Sequence, residues 1–157
     1  MKILVLGLGN PLVTDDSVGL RVVEQLKPLL ADRPDVEVSE DYWGGLRLME
    51  RMIGFDRAIV VDAIHTGAPP GTIHLLAPDG IATQRSASAH DVNLSTALAF
   101  GRHAGASLPE NRRIQLVGIE AEDTLTFGEH CTPAVQAAIP HAVQAVLSTL
   151  AEGETSP

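Results

Sequence analysis

Three side chains in this sequence have the types needed for metal-assisted hydrolysis: Asp16, Asp62 and His90. Two carboxylates and one imidazole make an oxygen–oxygen–nitrogen set that suits a borderline divalent cation such as nickel or zinc, with coordination positions left open. An open position is what a metal needs to polarise a carbonyl or activate water. The separations are 46 residues (16 to 62) and 28 residues (62 to 90), so no local motif holds the set and only a fold can assemble it. Each residue also has a plainer reading. Asp15 and Asp16 follow Thr14, and acids in a first helical turn stabilise the helix dipole by about 0.3–1 kcal/mol each. Asp62 closes the run Ala58-Ile59-Val60-Val61, where an unpaired charge would be costly, so a backbone or ligand partner is expected. His90 lies between Ser86-Ala87-Ser88-Ala89 and an apolar segment, where a histidine is ordinarily polar surface.

Other chemistry is less well supported by pattern. His65, three residues past Asp62, is a candidate to support a ligand from behind. His65, His74, His103, His130 and His141 fit neither of the paired-histidine helical zinc motifs. Cys131 precedes a helix start, which would lower its thiol pKa, but the adjacent His130 is not thereby placed as its base. No Gly-x-Ser-x-Gly elbow is present. Gly7-Leu8-Gly9 hints at a dinucleotide loop, yet Leu12 stands where the third glycine should fall and Pro11 intrudes. These glycines read instead as a tight turn that lets the next helix approach the sheet.

The elements that must position these residues follow from periodicity. Lys2 to Leu8 is a continuous apolar run and reads as a buried strand. Thr14 caps a helix from Asp15, whose face is Val18, Val22, Val23, Leu26 and Leu30. Val36 to Glu40 is a short strand, Leu46 to Ile53 a short helix, and Arg57 to Ala63 a second buried strand. Thr72 to Leu76 is a strand suited to a sheet edge. Pro78 to Ala89 reads as a polar loop that could admit a partner's tail, and Leu94 to His103 as a helix. Arg113 to Ile119 is a strand, Glu120 to Glu129 an acidic loop, and a last helix starts at Thr132-Pro133 and runs to about Leu150.

The order β-α-β-α-β-β-α-β-α predicts an α/β fold: a three-layer α/β/α sandwich on a mostly parallel, roughly five-stranded twisted sheet. Ligands of such sheets bind beyond the carboxyl ends of the strands. The first strand ends near Gly7 and the third at Asp62, so parallel strands would open both onto one edge. A single domain is expected over residues 1–151, with 152–157 as a flexible tail. A core of this size buries roughly 70% of the unfolded chain's surface. Aromatics are 3% of the sequence, so that core must be aliphatic, as suits strands covered on both faces.

Bulk properties exclude several classes. The formal net charge is −9, which opposes nucleic-acid binding and leaves no basic stripe for a membrane surface. A basic protein surface stays compatible. Cys131 is the single cysteine, so no internal disulfide forms. The apolar run at the start is too short for a secretion signal, and no apolar stretch reaches the ~18 residues of a membrane span. A cytoplasmic monomer is expected.

Four segments resemble the nickel–iron hydrogenase maturation proteases. They are Gly7 to Gly19 (GLGNPLVTDDSVG), Val60-Val61-Asp62-Ala63, Ser88-Ala89-His90-Asp91-Val92, and Gly118-Ile119-Glu120-Ala121 through Pro133. Together they span nearly the whole chain. In that family the first metal-binding position is Glu or Asp, and this chain carries Asp16. The segment Glu40 to Gly45 matches only loosely, and Glu40 receives no role.

The resemblance implies an endopeptidase that removes a short C-terminal extension from a hydrogenase large-subunit precursor after nickel insertion. Asp16, Asp62 and His90 would be its metal-engaging residues, acting on nickel supplied by the precursor, with no organic cofactor. Asp15 or Asp91 would be available as general base. Two carboxylates brought together without a cation repel, so binding would be switched on by the metal in the substrate. A non-catalytic nickel chaperone or precursor-binding module would use the same three residues. A peptidyl-tRNA hydrolase shares the GLGNP opening, but Asp16 stands where that family places its essential histidine, and the net charge opposes tRNA.

Overall fold

A computed structural model describes residues 1–79 and 93–154. His90, Asp91 and all of the expected loop beyond Asp79 lie outside the described residues. The strands are β1 (Ile3–Leu8), β2 (Val36–Asp41), β3 (Arg57–Ile64), β4 (Ile73–Leu76) and β5 (Ile114–Glu120). The helices are α1 (Val18–Leu29), α2 (Gly45–Met52), α3 (Leu94–His103) and α4 (Pro133–Glu154). The element order is the expected one. The sheet is ordered β2-β1-β3-β5-β4 and is open, with β4 antiparallel to β5 and the other pairs parallel. The α/β expectation, and β4 at an edge, are borne out.

Alternation along the strands divides the core into two layers. Ile3, Val5, Ile59, Val61, Val117 and Ile119 face α1 and α4. Leu4, Leu6, Leu8, Ala58, Val60, Ile114 and Leu116 face α2 and α3. Gly7 pairs in register with Val61, so the next residues, Leu8 and Asp62, reach the same carboxyl edge. Among the described residues one helix, α4, is long and apolar enough to cross a membrane. Val135, Ile139, Val143 and Val146 of that helix are buried in the layer shared with β1 and β3.

The glycine reading of the first loop holds. A Cβ on Gly7 would lie 2.4 Å from the Gly19 carbonyl oxygen, and one on Gly19 would lie 2.4 Å from the carbonyl oxygens of both Leu8 and Val61. Side chains at these two positions would push α1 off the sheet and carry the turn before it away from β3.

Local expectations fail in two places. Asp15 opens a 3-10 turn, Asp15–Ser17, and α1 begins only at Val18. Thr14 makes no side-chain cap; its hydroxyl donates instead to the Thr126 carbonyl at 2.6 Å, a partner 112 residues away. At the other end α4 runs past Leu150 to Glu154, where Arg33 pairs with the Glu154 carboxylate at 2.6 Å. Arg57 reinforces that end by donating to the carbonyls of Thr149 and Leu150.

Candidate active site

A cleft of about 340 Å³ opens at the carboxyl edge of the sheet, lined by Asn10, Val13, Asp16, Tyr42, Asp62, Ala63, His65, Thr124 and Leu125. Asp16 arrives from the 3-10 turn after β1, and Asp62 from near the end of β3. Two of the three expected residues, 46 apart in sequence, thus meet in one cavity. The third, His90, lies outside the described residues.

Both acids are aimed by backbone amides. The Asn10 N–H donates to Asp16 Oδ2 at 3.1 Å, and the Ala63 N–H donates to Asp62 Oδ1 at 2.8 Å. Each carboxylate thereby accepts a main-chain hydrogen bond that helps to aim it. Both are half-buried, as suits groups that must be ordered yet accessible. His65 also reaches the cleft, where its Nε2 lies 2.8 Å from Thr124 Oγ1. It supports the wall formed by the loop after β5.

Asp15 has a different task from the general base that sequence alone allows. It is fully buried. Its Oδ1 accepts from the Thr132 N–H at 2.7 Å, and its Oδ2 from the N–H groups of Glu122 and Asp123, both at 2.9 Å. The Thr132 hydroxyl closes on both oxygens, at 3.0 and 2.8 Å. Asp15 ties the β1–α1 turn to the loop between β5 and α4 and to the start of α4, and it does not line the cleft. Two backbone bonds complete the tie: Asp15 N–H to the Asp123 carbonyl, and Thr14 N–H to the Thr126 carbonyl.

Cys131 is also removed from the chemistry. It is buried, 3.8 Å from Ser17 Oγ, and burial pushes its thiol up from the ordinary range. The helix start does not lower it. Glu40 pairs with Lys27 at 2.6 Å on the exposed side of β2 and is not part of the cleft.

Several features escaped sequence reasoning. Asp41, at the end of β2, accepts from the Tyr42 N–H and from Arg51, both at 2.8 Å. Burial acts to raise its pKa, but that amide and the two arginines, Arg51 and Arg47, bring it below the usual carboxylate range. This fixes the turn that carries Tyr42 into the cleft. Glu120, at the end of β5, is buried against Thr66 and His74. Tyr42, Thr124 and Leu125 carried no motif.

The arrangement offers two backbone-aimed carboxylates at the strand ends of a parallel sheet, a geometry able to meet a cation and the bond beside it. Comparison with known proteins narrows the reading. The profile of the hydrogenase maturation protease (HycI) family matches residues 20–149. The chain is 34% identical over 155 residues to a hydrogenase 2 maturation protease of Escherichia coli (strain K12), covering 97% of this chain and 92% of that one. It is 30% identical over 154 residues to the hydrogenase expression/formation protein HoxM of Azotobacter vinelandii, covering 96% and 73%. Its fold superposes on the hydrogenase maturating endopeptidase HybD from E. coli with a TM-score of 0.76 and 32% identity, over 98% of this chain and 94% of that one.

Proposed function

The chain belongs to the hydrogenase maturation protease family, and from that premise we propose that Asp16, Asp62 and His90 engage nickel carried by a hydrogenase large-subunit precursor and direct cleavage of its C-terminal extension. The protein is a hydrolase, an endopeptidase acting on a hydrogenase subunit precursor. The observation that carries the site assignment is the meeting of Asp16 and Asp62 in one cleft at the carboxyl edge of the sheet.

Nickel is here part of the substrate. Two carboxylates and an imidazole are donors it accepts. Their own contribution is to hold the precursor's metal site against the cleft, so that the peptide bond beside it is presented to water. In the reaction, water oxygen bonds to the carbonyl carbon, the C–N bond breaks, and the proton passes to the leaving amine. A nickel-free precursor lacks the cation that offsets two facing carboxylates, so it docks poorly. Residence in the cytoplasm and action as a monomer, with residues 1–151 as the working domain, belong to the same proposal.

The test is incubation of the purified protein with nickel-loaded and nickel-free precursor, read by mass spectrometry for loss of a C-terminal peptide. The variants Asp16→Asn, Asp62→Asn and His90→Ala run alongside. Cleavage of the nickel-loaded form alone, lost in all three variants, is expected. Binding without cleavage would mark a chaperone. Cleavage surviving all three substitutions would remove the site assignment.

A further inference from the structure

Large apolar side chains left in water are concentrated around the cleft. Leu125 is 90% exposed, Phe127 79% and Leu12 65%, the three highest values among the exposed large hydrophobic residues described. They sit on the loops after β5 and β1. Across the cleft, in the turn after β2 and at the start of α2, Tyr42, Trp43 and Leu46 are also exposed. Tyr42 and Leu125 themselves line the cleft with Asp16 and Asp62, so these two apolar lips are continuous with it.

The lips are built, not slack. Phe127 bridges Val13 as a short antiparallel pair, the Gly128 N–H donates to the Leu12 carbonyl at 3.0 Å, and the Thr14 N–H to the Thr126 carbonyl at 3.2 Å. The Asp123 carboxylate accepts from the N–H groups of Leu125 at 3.0 Å and Thr126 at 2.9 Å. A frame of hydrogen bonds holds Leu125 and Phe127 outward. On the opposite lip the Trp43 ring stands edge-on to Tyr42, with centroids 4.9 Å apart. Keeping such side chains in water is unfavourable, a cost offset when a partner covers them.

We propose that the two lips grip the precursor's own chain, seating apolar side chains on either side of the scissile bond while the acids between them meet the nickel. The inference rests on the reading of the cleft as the place where the precursor is cut. An endopeptidase substrate continues on both sides of the cut bond, so chain must leave the cleft in two directions, and each direction meets a lip. The acids give the site its metal dependence and the lips give it affinity for the peptide. Rigid aromatic and aliphatic anchors beside a polar centre are the usual carriers of binding energy at protein interfaces.

The experiment is steady-state cleavage of the nickel-loaded large-subunit precursor by the wild type, the double variant Leu125→Ser/Phe127→Ser, and Trp43→Ser. Leu29→Ser and Phe100→Ser, exposed on α1 and α3 away from the cleft, are controls expected to match the wild type. Removing apolar anchors is expected to raise KM about tenfold with kcat within about twofold, the mark of lost uniform binding. The conservative pair Leu125→Met/Phe127→Leu should return KM to the wild-type value. Should the double variant fail to fold, Trp43→Ser carries the same test from the other lip. Wild-type KM in the lip variants would overturn the inference and leave the proposed function standing, as would loss of self-association in those variants with KM unchanged. A wild type that cuts neither form of the precursor would bring down the proposed function, and the lips with it.

Discussion

Asp15 and Asp16 are consecutive residues of one 3-10 turn. Asp15 points both carboxylate oxygens into the protein, where three amides and a hydroxyl meet them, while Asp16 points into the cleft with one oxygen taken by the Asn10 amide. Asp62 resembles Asp16: it is half-buried, lines the cleft and accepts from a neighbouring amide. A carboxylate whose acceptor sites are filled by main-chain donors is a structural tie, because releasing it would orphan those donors. A half-buried carboxylate bordering a cavity can take part in recognition. The burial of Asp15 thus separates the two roles more sharply than residue type does.

The first way to break this contrast is to remove charge from the cleft. Asp16→Asn and Asp62→Asn should each lower kcat/KM on nickel-loaded precursor by about 1,000-fold or more, equivalent to about 4 kcal/mol. Their thermal midpoints should stay within about 2 °C of the wild type, as expected away from buried networks. Asp15→Ala should behave in the opposite sense. Leaving the amides of Glu122, Asp123 and Thr132 without their acceptor should cost about 3 kcal/mol in urea unfolding. If Asp15→Ala kept full stability and lost only turnover, the separation of roles would collapse.

A smaller effect tests how the turn is carried to the sheet. Gly7→Ala puts a Cβ 2.4 Å from the Gly19 carbonyl and under 3 Å from Val23, so α1 must shift. Overpacking of this kind costs about 2 kcal/mol. The displacement should also reach Asp16, so kcat/KM should fall further than the loss of folded protein explains. An equal fall in both would show the turn to be independent of the helix behind it.

Much of this was legible in the sequence. The helix Leu94 to His103 and the strand at Arg57 were readable because long, strongly periodic runs leave little room for tertiary override. Asp62 stood out because a charge ending an aliphatic strand needs a reason. Gly7 and Gly9 could be read as a tight turn allowing close approach of the next helix, and a Cβ at either would meet a carbonyl oxygen at 2.4 or 2.5 Å. What could not be read was set by distant chain. Thr14 has the local signature of a cap, yet the Thr126 carbonyl competes successfully for its hydroxyl. Asp15 looks like a dipole-stabilising acid until the loop at 122–132 folds over it. The lips were invisible for another reason: Leu12, Leu125 and Phe127 have no periodicity, and only the fold places them around one cleft.

Glu120 offers the smallest and most selective test of the same contrast. It lies at the sheet's carboxyl edge, as Asp62 does, but it is buried and surrounded by donors. The Thr66 amide donates to its Oε2 at 2.8 Å, the Thr66 hydroxyl donates to Oε1, and His74 Nε2 lies 3.2 Å from Oε1. Burial acts to raise its pKa, yet these partners bring it below the ordinary glutamate value. A carboxyl depressed on folding adds stability above its unfolded pKa of about 4.3, and that stability is lost as pH falls through the lower folded value. Thr66→Val removes the hydroxyl donor and should cost about 1 kcal/mol at neutral pH. The gap between wild type and variant should then narrow as the medium is acidified below the glutamate range, where Glu120 is protonated in both. A gap that stayed constant with pH would mean that Thr66 acts by packing alone. Glu120 would then cease to be a second example of the satisfied, structural carboxylate that Asp15 represents.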